Sequence, residues 1–352
     1  MKIAQIAPFE ESVPPKKYGG TERIIFHLAE ELTKKGHNVT LFATGNSKTS
    51  AKLLPIFPKS LRLTKVGQNF KAREAYKLIG LAKVIEILLK ENFDIIHNHI
   101  GWRFLPFIKI LKTKVVTTLH GPLDIDYQRF IYQKFPNSHY ISISKNQREP
   151  LPKLNFTGNI YNGIDVKSFP LKEKTGNYLA FLGRMSPEKG PLEAIKIAKK
   201  AKLKLIMAAK IDIVDKEYFS KKIKPLIDNR MIKFIGEIEH KKKVQLLQNA
   251  KALLAPINWR EPFGLFLIES MACGTPVIAF NKGSIPEIIS DGKTGFVVKN
   301  VDEAVKSLKE IDQIDRRDCR KWVEDNFSVG KMVNKYEALY NKVIKEQKNN
   351  KK

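Results

Sequence analysis

A chain of 352 residues is long for one ordinary domain and suits two of about 150 residues each. Its composition, 43% hydrophobic and 28% charged, is that of globular proteins and excludes a disordered or fibrous chain. The formal charge of +27 divides into roughly +12 up to residue 165 and +15 beyond it, so no single basic domain stands out as a polyanion binder and solvated lysine faces are the commoner reading.

The opening MKIAQIAPFEES gives a first strand, KIAQIA, followed at once by acids, unlike the long apolar run of a secretory signal. Next comes KYGGTER, residues 17 to 23, where Gly19 and Gly20 can bring bare amides toward a phosphate at a helix N-terminus; a purely structural turn fits equally well. It is not the spaced G-x-G-x-x-G of a dinucleotide-binding domain, which argues against a dehydrogenase. TERIIFHLAEELTKKG places Ile24, Leu28 and Leu32 on one helix face and ends on Gly36. After the strand NVTLFAT, residues 48 to 90 carry about ten basic residues against two acidic ones. Their helical part, KAREAYKLIGLAKVIEILLKENF, suits a cover for a sheet, with docking on anionic lipid as the alternative. FDIIHNH and KVVTTLH are the next strands. The HNH of His97 and His99 is no complete metal site, and none is assigned. In LHGP, residues 119 to 122, His120 leaves a strand at its carboxyl end, where an imidazole can bond a sugar hydroxyl or move a proton; a lone histidine is more often structural. HYISISK closes the first series. The turn-rich PKLNFTGNIYNGIDVKSFPLKEKTG then reads as a linker.

A second strand series runs through NYLAFLG, KLKLIMAA, IKFIGEI, ALLAPI, PVIAF and TGFVV, with helical patterns between. Alternation of this kind predicts α/β architecture, two doubly wound parallel sheets with ligands at the carboxyl ends of the strands in a central cleft. Directly after the first of these strands, FLGRMSPEKG places Gly183, where backbone can approach a ligand closely, beside the cations Arg184 and Lys189, as a leaving diphosphate requires. EPFGLFLIE carries Glu261 in a loop and Glu269 about five residues into a helix, roughly 8 Å along its axis. The amides around Phe263, Gly264 and Leu265 open that helix and favour electron-rich oxygens. Carboxylate, amide cluster and carboxylate match sugar, diphosphate and ribose; two surface acids are the bland reading, which the apolar surroundings of Glu269 disfavour. Cys273 reads as core, and the wide separation of Cys273 and Cys319 suits a reducing cytoplasm rather than a disulfide or zinc framework. No segment has the roughly 18 consecutive apolar residues needed to span a bilayer. The final KEQKNNKK is expected to fray.

Together YGGTER, HGP, ISISKNQ, YNGID, FLGRMSPEKG and EPFGLFLIESMACGTPVIAFNKGSIPEIISDGKTGFVV resemble the retaining, nucleotide-sugar-dependent glycosyltransferases of family 4 over nearly the whole chain. The last stretch is the most specific, being similar to that family's E-x7-E signature with its G-x-P-V-I-A and P-E-I-I continuations. The resemblance implies the GT-B fold, two Rossmann-like domains facing a cleft, with boundaries at 1–165 and 166–328 and a helix from 329 to 352 that crosses back onto the first domain. It implies a retaining hexosyltransferase. Glu261 would contact donor-sugar hydroxyls and Glu269 the ribose, while Arg184 and Lys189 neutralise the diphosphate with help from the Gly19 and Gly20 amides. The amides from Phe263 to Leu265 would hold the sugar, Ile238 would contact the base, and His120 would lie near the reacting face. No metal or other cofactor is required. The expected partners are a nucleotide-sugar donor, UDP-glucose or a related UDP-hexose on family frequency, and an acceptor that is glycan, lipid or small molecule. A cytoplasmic protein is expected, with peripheral contact at the inner face of an anionic membrane as an option and no specific nucleic acid. The rivals are an epimerase or glycan phosphorylase on the same fold, and a non-enzymatic nucleic-acid-binding protein.

Overall fold

The computed structural model describes residues 1–16 and 19–349. Lys17 and Tyr18 of the KYGGTER stretch, and the tail beyond Asn349, lie outside the described residues. The chain forms two compact units, one of residues Met1–Gly163 together with the chain from Val329 onward, the other of Ile164–Ser328.

Strands β1 (Lys2–Ile6), β2 (Asn38–Thr44), β3 (Lys52–Phe57), β4 (Ile95–Asn98), β5 (Val115–Leu119), β6 (His139–Ser142) and β7 (Phe156–Asn159) build the sheet of the first unit. Its order is β3-β2-β1-β4-β5-β6-β7 and every pairing is parallel. Parallel strands need crossovers, and the helix Gly20–Lys34 supplies the first of them. Its Ile24, Leu28 and Leu32 are buried as their four-residue spacing requires, and Gly36 takes a φ of 83° where the chain turns away. The long helix Phe70–Lys90 buries Leu81, Val84, Ile85 and Leu88 against Phe9, Phe42 and Phe57. Its apolar stripe therefore covers the sheet, although Phe70, Leu78 and Ile79 remain exposed.

Two strands, β3 and β7, are absent from the sequence reading, and both are sheet edges. Pro55 lies inside β3, and only an edge strand tolerates the missing N–H. β7 is the FTGN of the stretch read as linker, a correction of that reading: it pairs with β6 on one side and is covered by the last helix. A Cβ on Gly158 would come within 2.6 Å of Leu339 Cδ1 on that helix, so strand and helix lie close together there. The helix Val329–Asn349 belongs to the first unit, burying Met332, Val333, Tyr336, Tyr340 and Val343 at helical spacing.

In the second unit β8 (Tyr178–Arg184), β9 (Lys204–Lys210), β10 (Ile232–Phe234), β11 (Ala250–Ala255), β12 (Val277–Phe280) and β13 (Gly295–Val298) are ordered β10-β9-β8-β11-β12-β13, again parallel throughout. In each unit the strand order reverses beside the first strand, at β1/β4 and at β8/β11. Neighbouring crossovers leave on opposite faces there and open a crevice at the carboxyl ends. Among the described residues no helix is long and apolar enough to cross a membrane.

Candidate active site

At the β8/β11 reversal two loops meet. The one after β8, which starts from Arg184 at the strand's end, carries Lys189; the one after β11 carries Trp259 and Glu261. They are pinned together by Asn258 N–H, which donates to Glu188 O at 2.8 Å. Gly190 lies so close to Pro256 that an added Cβ would fall 1.9 Å from its carbonyl oxygen, and its φ of 71° is left-handed. Gly183 is different. A Cβ there would make only ordinary contacts, the nearest being Lys189 Cγ at 3.8 Å, so the fold itself does not demand a glycine.

Lys189 Nζ donates to Glu261 Oε2, which also accepts from Trp259 Nε1 at 3.0 Å. The ammonium lies 4.9 Å from the centre of the Trp259 ring and 5.7 Å from that of Phe266, so aromatic faces share its charge. Both side chains are largely buried, at 13% and 9% exposure. A buried carboxylate needs such partners, and here they occupy one oxygen; Oε1 has no hydrogen bond among the described residues.

Glu269 repeats the arrangement on a buried helix. The helix Leu265–Ala272 is apolar on nearly all sides, and Glu269 sits in it at 4% exposure. Lys243 Nζ, from the helix His240–Gln248, donates to Glu269 Oε1 at 2.5 Å. Lys243 is half-buried in that helix, while its neighbours Lys241 and Lys242 are exposed. Arg316 fixes the helix end, donating to Gln248 O at 3.0 Å and Thr275 Oγ1 at 2.5 Å. Ile238 is half-buried in the loop that leads into the Lys243 helix.

Gly264 has a φ of 82° and precedes the first intrahelical bond, Leu267 N–H to Gly264 O at 3.0 Å. The Phe263 ring is core, edge-on to Phe327 at 5.8 Å, so only its backbone is available to a ligand. Ser284 latches this loop: its N–H donates to Glu261 O at 2.9 Å and its hydroxyl to Phe263 O at 3.1 Å. Trp259, Lys243, Gly283 and Ser284 are absent from the sequence reading; the last three act on residues distant in sequence, whereas Trp259 acts on Glu261 two residues away.

Arg184 pairs with Glu188 and lies 3.9 Å from Asp212 and 3.8 Å from Asp215. Its charge is therefore met by three acids rather than left bare. Burial raises the Asp215 carboxyl above the ordinary range.

Gly19, Gly20 and His120 belong to the first unit. Gly19 caps the helix Gly20–Lys34 with a φ of 149°, and a Cβ there would strike Pro15 at 2.7 Å, so this glycine has a structural reason. His120, just beyond β5, lines a cavity of about 310 Å³ with Glu22, Lys77, Trp102, Arg103 and Tyr132. Pro8, Phe9 and Glu10 also line it, whereas residues 48 to 70 do not. Burial, then the nearby Glu10 and Glu11, pushes the Glu22 carboxyl up to about 7. Burial likewise lowers His120 to about 4 and holds His97 and His99 well below the usual imidazole range.

These shifts set an acid dependence. An imidazole with a depressed folded value stays neutral in the folded protein while the unfolded chain takes a proton from pH 6.5 downward, so stability falls as pH drops from about 6.5 toward 4. Glu22 works the other way, holding its proton in the folded state up to about pH 7. With three imidazoles against one carboxyl, unfolding near pH 5.5 is expected to take up roughly two protons. Denaturant midpoints at pH 5.5 and 7.5 check this, and equal midpoints refute it.

A family model described as "Glycosyl transferases group 1" matches residues 164–326, and one described as "Glycosyltransferase Family 4" matches residues 18–168. An uncharacterized 41.2 kDa protein in the cps region of Klebsiella pneumoniae is 31% identical, over 92% of this chain and 96% of its own. N-acetyl-alpha-D-glucosaminyl L-malate synthase of Bacillus anthracis is 26% identical over 95% of this chain and 96% of its own. The crystal structure of Anabaena Alr3699/HepE in complex with UDP and glucose superposes with a TM-score of 0.74, covering 97% of this chain and 100% of that one at 18% identity, a likeness of fold.

Proposed function

The chain belongs to glycosyltransferase family 4, with the GT-B fold, and from that premise we propose that it transfers a hexose with retention from a nucleoside diphosphate sugar, UDP-glucose or a related UDP-hexose, to a hydroxyl-bearing acceptor. The observation that carries the reading is the pair of buried lysine-held carboxylates, Lys189–Glu261 and Lys243–Glu269, each with one oxygen committed and the other open to a ligand. An open carboxylate oxygen accepts hydroxyl hydrogens, and sugars and ribose are rich in them. The Anabaena neighbour was crystallised with UDP and glucose, which favours this donor class.

In this reading Glu261 binds donor-sugar hydroxyls and Glu269 the ribose. Lys189 and Arg184 stabilise the charge that develops on the departing diphosphate, and Gly183 lets the phosphates approach the strand end. Amides from Phe263 to Leu265 hold the sugar, and Ile238 lies against the base. The acceptor oxygen attacks on the face the diphosphate leaves, through an oxocarbenium-like state, so charge neutralisation matters more than a strong base and no metal is needed. The first unit supplies His120, near the reacting face, and the Gly19–Gly20 amides, which help neutralise the diphosphate. Both cysteines are buried thiols, and burial pushes each up to about 12, in keeping with a reducing cytoplasm.

The test is a thermal-shift and hydrolysis panel of nucleotide sugars, in which a ligand near 100 times its dissociation constant stabilises by about 2.7 kcal/mol. UDP-hexoses are expected to stabilise and to release UDP slowly. Absence of both effects across UDP and GDP sugars overturns the reading. Within it, Glu269→Gln is expected to raise the donor KM about tenfold, the weight of one charge-assisted hydrogen bond, with kcat within a few-fold. A fall in kcat at unchanged KM removes Glu269 from the ribose.

A further inference from the structure

The first unit buries a continuous run of polar side chains with no place in the reading above. Strand alternation puts Gln5 of β1, His97 of β4 and Thr118 of β5 on one face of the sheet, and His99 and His120 continue that face just past the strand ends. Tyr336 and Tyr340, one turn apart on the last helix, cover it from the other side. Gln5, His97, His99, Thr118, Tyr336 and Tyr340 are all 3% exposed or less. Buried polar groups on this scale must satisfy one another.

Their hydrogen bonds form one chain, whose direction follows from which way the Gln5 amide is turned. The Gln5 amide nitrogen donates to Tyr340 Oη at 3.1 Å, which turns its oxygen toward His99 Nε2 at 2.6 Å. His99 Nε2 therefore carries the proton. A neutral imidazole has one N–H, so His99 Nδ1 is a bare acceptor, and at 2.9 Å it takes the proton of His120 Nε2. His120 is left with an unprotonated Nδ1, which has no partner among the described residues. On the other branch Tyr340 Oη donates to His97 Nδ1 at 2.6 Å, His97 Nε2 to Thr118 Oγ1 at 2.7 Å, and Thr118 to Tyr336 Oη at 3.1 Å. Turning the Gln5 amide over would reverse every bond and leave His120 presenting an N–H instead.

We propose that Gln5, His99 and Tyr340 are positioning residues that hold His120 as the Nε2–H tautomer, so that its Nδ1 accepts a hydrogen bond from a substrate hydroxyl in the first unit's cavity. The role of that hydroxyl rests on the glycosyltransferase reading; the tautomer does not. Burial supports the neutral state that the relay requires, since it lowers all three imidazoles. A bare Nδ1 orients a hydroxyl by its hydrogen and repels a carboxylate or phosphate oxygen placed against it. Tyr340 Oη, which can both donate and accept, joins the Gln5 branch to the His97 branch, so the two run in the same sense.

The experiment is a long-range proton–nitrogen spectrum of the intact protein with nitrogen-15 in its histidines, the His120 signals being assigned with His120→Asn. The expected result is a proton on Nε2 and none on Nδ1 of His120 near pH 7.5. A protonated His120 Nδ1 in the unaltered protein overturns the proposal without recourse to any variant. Tyr340→Phe removes the hydroxyl that couples Gln5 to the His97 branch. It is expected to leave both His120 tautomers populated and to lower kcat about tenfold at little change in KM. An unchanged tautomer and unchanged kcat in Tyr340→Phe also overturn it. The nucleotide-sugar panel keeps the two readings apart: a correct tautomer with no nucleotide-sugar binding sinks the transferase reading alone, whereas turnover with the opposite tautomer sinks the relay alone.

Discussion

Lys189→Ala lowers turnover at least a hundredfold while donor binding changes less. The ammonium is the group best placed to meet charge as the diphosphate leaves, and one preorganised donor of this kind contributes about 3 kcal/mol to a transition state. It also has a ground-state duty, because it holds Glu261 Oε2 in a site where both side chains are largely buried. Removing it strands a carboxylate with the Trp259 N–H as its remaining partner, and breaking a buried pair costs about 3–5 kcal/mol. The two effects separate in the double variant Lys189→Ala with Glu261→Gln. There the stranded charge is gone, so thermal stability recovers, but no cation faces the leaving group and turnover stays low. Near-normal kcat in the single variant, or kcat restored in the double one, would show that Lys189 serves only the fold.

Gly283→Ala disables the site from behind. Gly283 has a φ of 61°, in the left-handed region that favours glycine, and a Cβ there would lie 2.4 Å from both the N and the O of Glu261. Those are backbone atoms, so the loop that carries the carboxylate has to move rather than a side chain swing aside. The Ser284 bonds to Glu261 O and Phe263 O would stretch with it. A misplacement of about 1 Å costs on the order of a hundredfold in rate, which sets the expected loss in kcat, and clash with strained backbone together take about 2–4 kcal/mol from stability. Gly330→Ala is the control: its Cβ would meet nothing within 4 Å, it sits in a helix, and both rate and stability are expected to hold. Loss of stability with unchanged kcat in Gly283→Ala would mean that the loop tolerates the shift and that the latch has no part in catalysis.

Much of this was legible before any coordinates. Interior strands declare themselves as apolar runs, so β1, β2, β5, β8, β9, β11 and β12 stand out in the chain, as do the second unit's edges β10 and β13. The edges of the first unit do not. β3 contains Pro55, and β7 is four residues of FTGN; an edge strand has one sheet neighbour and escapes the demand for a fully apolar, proline-free run. The site shows the same division. Glu261, Glu269, Arg184 and Lys189 are visible because charged residues beside glycines and strand ends are out of place in core-like sequence, whereas Lys243 looks like one lysine of three in HKKKVQLLQ.

The sequence by itself determined the alternation of strand and helix, the two sheets it must build, and which residue types carry chemistry, because periodicity and the cost of burying charge act within a few residues along the chain. Which lysine holds which carboxylate was settled only by the tertiary structure, as was the pairing of Gln5 with Tyr340 across 335 residues. Hydrogen bonds and ion pairs are short-ranged in space and indifferent to separation along the chain, so a partner that distant leaves no local pattern to read.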